Sequence, residues 1–497
     1  MTDEVEIAII GAGLGGLCAA IRLQQQGIMS ITVLERSAEV GGTWRDNVYP
    51  GCACDVPSHL YSLSFEPNTE WTRPYPQRAE IQAYIVRVVE KYKLRKVIRF
   101  NTEVSEMRWM PELARWQIDV QGHAPLLARH VILATGPLNK PLIPNVPGIE
   151  TFEGIAFHSN QWRADVPLTG KRVAVVGTGA SAVQLVPEIA PQCETLTVFQ
   201  RTPAWVLPRK DVRYGPLKLW LYRHVPGLQR LNRWRVYWFN EFIGMGFMGS
   251  KRMQGLLRGY SKLHMRQQIA DKTMRDALTP SFTPGCKRLL ISNTWFPALQ
   301  RSNVQLVTQA VARIVPQGVV CAQGSLYPCD VIIWGTGFKA TEFVTPMKIW
   351  GDAGQPELSD LWCNQPAASR LGISVAGFPN LFMLVGPSTG LGHNSIIFMI
   401  EAQVDYILQA LKSLTNSSHT TLKLRPAAQT HDYATIQEKM KGTVWATGCH
   451  SWYQSADGRI DTLWPGFTWQ YWLDTRRFDA SQYEFAGQNS IKTSVKN

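Results

Sequence analysis

No run of about eighteen apolar residues occurs in the 497-residue chain, so no membrane-spanning helix is predicted. The longest candidate, residues 236–248, is broken by Asn240, Glu241 and two glycines. A secretory signal is not expected either: the apolar residues 7–10 follow Asp3, Glu4 and Glu6, with no basic segment before them. Cysteine is sparse. Nine residues, an odd number with no regular spacing, argue for reduced thiols in a cytoplasmic protein rather than a disulfide framework. Cys52 and Cys54 stand too close for a CxxC redox pair. None of the ten histidines is paired at a metal-ligand spacing such as HxxxH, and no metal site is predicted. Low-complexity tracts and short repeats are absent. The balance of 45% hydrophobic and 18% charged residues excludes a largely disordered chain and leaves room for two or more domains.

Acidic residues are the scarcer charge, 38 against 51 Lys and Arg, and the imbalance is local. Residues 201–280 hold sixteen basic and four acidic residues, twelve of the net thirteen positive charges, interleaved with Trp205, Trp220, Trp234 and Trp238. Basic and aromatic residues together suit a membrane surface or a nucleic acid. The reading favoured from sequence is a helical insert whose apolar stripe packs inward and whose basic face is solvated. No nucleic-acid motif is present, so at most a weak peripheral membrane contact through 211–281 is expected.

The glycines carry more information. Residues 6–10 form an apolar strand that runs into Gly11-Ala12-Gly13-Leu14-Gly15-Gly16; a helical pattern to Gln25, a strand at Ile31–Leu34 and Glu35 follow. This is the strand–GxGxxG–helix–strand–acid order of a dinucleotide site. Gly11 permits the turn, Gly13 lets the backbone approach a pyrophosphate, and Gly16 lets helix and strand pack closely. The helix N-terminus receives the phosphates, and Glu35 accepts from a ribose diol.

The order recurs at Arg172–Val176, Gly177-Thr178-Gly179-Ala180-Ser181-Ala182, a helix, and Thr195–Phe199. Glu35 lies 24 residues after Gly11, and the residue 24 after Gly177 is Arg201. An acid suits a free ribose diol and an Arg suits a 2′-phosphate, so the second site is read as the NADP site, with Thr202 or Lys287 sharing the phosphate. An ordinary surface Arg remains the alternative for Arg201, and a solvated Lys for Lys287. Two such folds in one chain suggest FAD and NADPH together. Strands at 130–134 and Val331–Trp334, each ending at a Gly turn, read as returns to the two sheets, with the Pro-rich stretch 137–147 as a linker. The predicted architecture is α/β. It has an FAD-binding Rossmann-like domain (1–140 and 373–497) and an NADP-binding one (141–210 and 282–372), with 211–281 as a helical insertion lining the substrate pocket.

Three motifs are more specific. Gly41-Gly42-Thr43-Trp44, Tyr49-Pro50-Gly51 and Asp55 fit the pattern GGxWxxxx(F/Y)PGxxxD. Phe152-Glu153-Gly154, His158 and Trp162 fit FxGxxxHxxxW, directly before the second glycine loop. Lys287-Arg288 follows the basic insert, and a block with Trp445, Gly448-Cys449 and Ser451-Trp452-Tyr453 closes the order. Over nearly its whole length the chain resembles the type I Baeyer–Villiger monooxygenases, class B flavoprotein monooxygenases. Arg163, where Pro or Asp commonly follows the Trp, is a departure.

The resemblance implies that NADPH reduces FAD, that the reduced flavin takes up O₂ to give a C4a-peroxide, and that a ketone becomes an ester or lactone. It makes Arg288 the catalytic cation and Asp55 the acid that positions it. Gly42, Trp44 and Tyr49 would wall the flavin, Lys287 would reach the 2′-phosphate, and His158 would couple domain positions without acid–base work. The aromatic block 445–464 is either a loop closing over NADP or a packed segment. The insert and the loops near Cys286 and Phe398 are expected to line a pocket for hydrophobic ketones. Oxidation of amine nitrogen or sulfide sulfur is the alternative activity.

Overall fold

The computed structural model describes residues 3–488 other than His450, Trp452 and Ala456, and Trp452 of the C-terminal block therefore lies outside the described residues. Two sheets organise the chain. The first is eight-stranded. Its centre is the strand Asp3–Ile10, parallel to Ile31–Leu34 on one side and to Leu126–Leu133 on the other. Residues 7–10 and Ile31–Leu34 are buried throughout, as strands covered on both faces must be. An antiparallel extension, Val104–Met110 with Arg115–Val120, continues from Leu126–Leu133, and Leu381–Met383 also pairs with that strand.

The second sheet has five parallel strands in the order Val304–Val307, Thr195–Phe199, Arg172–Val176, Val331–Trp334, Ile155–His158. Here too the central strands are apolar and buried, and the helix Ala180–Ile189 covers one face. The strands Arg172–Val176, Thr195–Phe199 and Val331–Trp334 stand where the sequence placed them. The strand expected at 130–134 begins four residues earlier.

One expected boundary needs correction. The range 282–372 expected for the second unit includes Lys348–Trp350, but this strand pairs with Val104–Met110 and belongs to the first sheet. A three-residue strand has no periodicity to read, so its placement is decided by burial of Ile349 beneath that sheet.

Residues 211–281 are helical, as expected: Pro216–His224, Leu228–Phe247, Lys251–Gln268 and Lys272–Ala277. The expected inward apolar stripe is present on Lys251–Gln268, where Met253, Leu257 and Met265 are buried, but not on Leu228–Phe247. Trp220, Trp234, Trp238, Phe239 and Phe242 are exposed. No described helix is long and apolar enough to cross a membrane.

The cysteine expectation is also corrected. Cys286 and Cys449 are disulfide-bonded across 163 residues, and the other seven cysteines are free. Counting and spacing carry no signal for a single long-range pair. The bond ties the segment before Lys287-Arg288 to the C-terminal block, inside a cluster with Phe247, Trp445 and Tyr453.

Candidate active site

Both glycine loops open onto one cavity of about 940 Å³. The local geometry explains the glycines. Gly11 has φ +105°, and a side chain there would meet the Ala134 carbonyl at the end of the adjacent strand. Gly177 repeats this, with φ +112° against the Gly335 carbonyl. A Cβ on Gly16 would lie 1.9 Å from the Gly11 carbonyl oxygen, so helix and strand touch backbone to backbone. The helices Leu14–Gln25 and Ala180–Ile189 begin with no side-chain cap and no acid in their first turns. Their first amides and positive dipole ends are thus available to an anion. Gly13 and Gly179 both line the cavity, and Ala182 is buried behind the second loop.

Glu35 is buried at the end of Ile31–Leu34. Its carboxylate accepts from the Ala12 N–H at 2.8 Å, the Ser37 N–H at 3.0 Å and the Arg45 guanidinium at 2.8 Å. Three bonds from its own chain leave part of its lone-pair capacity for a ribose diol. Arg45 is a partner that the spacing of glycine and acid alone does not reveal.

At the second loop the Thr178 hydroxyl donates to the Thr202 carbonyl at 3.1 Å, fastening the loop to the turn that carries Arg201. Burial, and then the nearby charge of Arg201, push the Lys287 amine below its ordinary pKa. Two cations, neither in an ion pair among the described residues, therefore converge on the cavity wall beside Thr202. This donor set fits a phosphate.

Arg288 and Asp55 meet from positions 233 residues apart. Arg288 donates through Nε to Oδ2 and through Nη2 to Oδ1, both at 2.7 Å, leaving Nη1 free of Asp55. Their side chains are 34% and 23% exposed, and both line the cavity. The Asp55 charge raises the Arg288 pKa further, so the guanidinium is a permanent cation. For Asp55, burial acts upward, but the charge and hydrogen bonds of Arg288, helped by Arg209, hold the carboxyl below its usual value. Arg209 escaped the sequence reading. It contacts Asp211 at 3.2 Å and lies over the Tyr75 ring.

The GGxW segment forms the wall between the two loops. Trp44 is buried and donates Nε1–H to the Tyr61 hydroxyl at 2.9 Å, and Gly42 lies against Gly13. The Tyr49 hydroxyl donates to Gln184 Oε1 at 3.0 Å, and Gln184 also donates Nε2–H to the Ala53 carbonyl at 2.9 Å and accepts from the Ala53 N–H at 3.3 Å. Gln184, on the helix of the second loop, thus clamps the first unit to the second. Nothing local in the sequence marks it.

Phe152, Gly154, His158 and Trp162 do not line the cavity. The Phe152 ring folds over Gly154, where a Cβ would also collide with the Asp330 carbonyl. His158 ends the edge strand of the second sheet, is buried, accepts at Nδ1 from the Asn160 N–H at 3.1 Å, and packs against Phe338. Burial pushes its pKa down to about 4, so it is neutral at neutral pH. Trp162 packs edge-on to Phe157. The string builds the junction beside the Gly335-Thr336-Gly337 turn. Among the described residues Arg163 pairs only with its exposed neighbour Asp165.

At the C-terminal side, the strand Leu381–Met383 leads through residues 386–390 to the helix Ile396–Asn416; Ile396 and Ile397 face the cavity. Tyr453 and Leu463 complete the wall, and a β-bridge joins Gly390 to Leu463. Burial pushes the Tyr453 hydroxyl up to about 12, opposed by the charge of Arg288, which places this ring near the guanidinium. In the block 445–464, Trp445, Tyr453, Leu463 and Trp464 are buried. The helical insert contributes no residue to the described cavity wall, although Phe282 just beyond it does. The insert stands behind the wall, through Tyr237 against Phe398 and Glu241 against Asn394. No group of three or more potential metal ligands occurs among the described residues.

The family model "flavin-binding monooxygenase-like" matches residues 4–232. A Baeyer–Villiger monooxygenase of Streptomyces coelicolor is 44% identical over 97% of this chain and 93% of its own length. One of Pseudomonas aeruginosa is 42% identical over 96% and 91%. Among solved structures, the closed form of cyclohexanone monooxygenase superimposes with a TM-score of 0.87 at 25% identity, covering 98% of this chain and all of that one. An oxidised steroid monooxygenase bound to NADP gives 0.85 at 27% over 98% and 100%. A complex of OTEMO with FAD and NADP gives 0.87 at 26% over 97% and 99%. With two uncapped dinucleotide loops on one cavity and full-length relatives of this kind, the chain belongs to the Baeyer–Villiger monooxygenases, FAD-containing and NADPH-dependent flavoproteins that convert ketones to esters or lactones.

Proposed function

We propose that this chain acts on apolar ketones, with Arg288 as the catalytic cation and Asp55 as the residue that positions it. The observation that carries the reading is the bidentate Arg288–Asp55 pair on the wall of the cavity shared by both glycine loops. FAD reduced by NADPH supplies the chemistry that activates O₂. The chain's residues supply binding, orientation and charge.

Gly11, Gly13 and Gly16 with Glu35 hold the FAD diphosphate and ribose, while Gly42 and Trp44 form the wall beside it. Gly177, Gly179 and Ala182 hold the NADP diphosphate, and Arg201, Lys287 and the Thr202 turn take the 2′-phosphate. Arg288 keeps its charge at every working pH. Because Asp55 fixes Nε and Nη2, the remaining Nη1 end is oriented in advance toward negative charge that develops on oxygen during the reaction. Losing one such contact costs roughly 10²–10³-fold in rate. Tyr453, buried in the same wall, carries its ring near the guanidinium. Phe282, Leu290, Leu391 and Leu463 give the wall its apolar character, which supports ketones with hydrocarbon bodies.

The test is a product screen. Purified FAD-loaded enzyme is given NADPH, air and a panel of linear, cyclic and aryl ketones, with amines and sulfides alongside, and products are identified by mass. Esters or lactones from hydrophobic ketones are expected. Oxygenated amines or sulfides with untouched ketones would replace the reading by its alternative.

A further inference from the structure

The helix Leu228–Phe247 is amphipathic in the reverse sense. Its inward face carries polar groups: Gln229, buried, donates to the Asn68 carbonyl; Arg233 donates to the carbonyls of His59, Leu60 and Ser62; and Glu241, buried, accepts from Asn394 and Thr468. Its outward face carries Leu231, Trp234, Trp238 and Phe242 at helical spacing, with Phe239 beside them, and Trp234 is 62% exposed. The same character continues onto the neighbouring helices. Every tryptophan exposed among the described residues lies on 216–247 or on Thr468–Thr475, and Tyr237 joins the two segments through its hydrogen bond with Thr468. Elsewhere, large exposed apolar residues are scattered singly.

Charge on the insert has one sign, while the adjoining Thr468–Thr475 carries the exposed acid Asp474. Residues 212–268 include eleven Lys and Arg and one acid, Glu241, which is buried and bound. Arg230, Arg235, Lys251, Arg252, Arg258 and Arg266 are exposed and make no ion pair among the described residues. A helix that buries its polar groups and offers aromatics outward is built for a medium less polar than water, and the ring of guanidinium and ammonium groups suits an anionic interface.

We propose that this face docks peripherally on a lipid bilayer containing anionic headgroups, with the tryptophan and phenylalanine rings at headgroup depth and the basic residues on the phosphates. A second copy of the chain fits less well, because a two-fold contact would oppose two basic faces with no exposed acid in 212–268 to compensate. A nucleic acid leaves the aliphatic part of the patch, Leu231, Leu256 and Leu263, without a complement.

The test uses FAD-loaded full-length enzyme in flotation with unilamellar vesicles of phosphatidylcholine, either pure or with about a third phosphatidylglycerol, at low and high salt. Binding to the anionic vesicles at least ten-fold tighter than to the neutral ones, weakened by salt, is expected. The triple variant W234S/W238S/F242S and, separately, R230E/R235E/R258E are each expected to lower that binding at least ten-fold, while NADPH consumption with a soluble ketone stays within two-fold of wild type. Unchanged flavin absorbance checks that the variants fold. Failure of wild type to float with anionic vesicles overturns the proposal, as does flotation that survives both variants. A dimer in sedimentation that the aromatic variant dissociates would assign the face to a second copy and also overturn it, as would duplex DNA binding stronger than vesicle binding. Flotation, flavin absorbance, sedimentation and DNA binding need no turnover, so they stand apart from the assignment of Arg288.

Discussion

Replacing Asp55 by Asn keeps the shape of the side chain and removes its charge. In the native pair both carboxylate oxygens accept from Arg288 at 2.7 Å. An amide presents one acceptor and one donor group, so one guanidinium N–H faces an NH₂ and the fork geometry is lost. A hydrogen bond to a charged group contributes about 1.5–3 kcal/mol when buried. These side chains are 34% and 23% exposed, and solvent screening lowers the figure toward its low end, about 2 kcal/mol. If that energy serves to orient Arg288 in the transition state, ester formation falls about 30-fold. Arg288→Ala, which removes the cation itself, costs more, roughly 10²–10³-fold. Anaerobic stopped-flow of flavin bleaching by NADPH separates the steps: both variants are expected to reduce at close to the wild-type rate. Gas chromatography of the ester and a peroxide assay then report how much reducing power reaches product. The native Asp55 carboxyl is held below its usual value, so its contribution is present above about pH 4 and is lost only as pH falls through the lower folded value; it imposes no step between pH 5 and 9. D55N with unchanged ester formation would refute the reasoning, and so would a loss of flavin reduction in the same proportion as product.

Other outcomes follow from the same geometry. Arg201→Glu is expected to raise KM for NADPH at least ten-fold while changing KM for NADH far less, read by initial rates with each cofactor; equal effects would remove Arg201 from the 2′-phosphate site. Gly16→Ala places a Cβ 1.9 Å from the Gly11 carbonyl and should yield protein that fails to retain FAD, visible as loss of yellow colour on gel filtration. His158, His59 and His130 are pushed by burial to about 4, 4 and 3. All three folded values lie below the unfolded one, so the unfolded chain binds more protons and stability falls as pH drops from about 6.5 toward 4, by up to about 1.4 kcal/mol per pH unit for each; a Tm that is flat over that range would refute their burial as neutral rings. Thiol titration of denatured, unreduced enzyme should count seven thiols, and nine would exclude the Cys286–Cys449 bond.

What could be read from the chain and what could not divides by range. The glycine loops, their flanking strands and the opposite charges 24 residues on are local patterns, because turn, phosphate and ribose must be met within one βαβ unit. Arg201 shows how far such a pattern reaches. Its position says which ribose it serves, yet its convergence with Lys287 depends on a segment 86 residues away and appears only when the helices of the insert are folded between them. Gln184, Arg209 and the Cys286–Cys449 bond have no local signature at all, since each acts on a partner brought in by the packing of the two sheets. The insert erred in the other direction. Helical periodicity at Leu231, Trp234, Trp238 and Phe242 shows that a helix has an apolar face but not which way that face points, and the usual assumption is inward. Here the polar anchors Gln229, Arg233 and Glu241 decide the orientation, because each is satisfied only against the body of the protein. Turning the helix by half a turn to bury the aromatics would leave a guanidinium and a carboxylate without those partners, so the bonds that fix the insert behind the active site are the same ones that force its tryptophans outward.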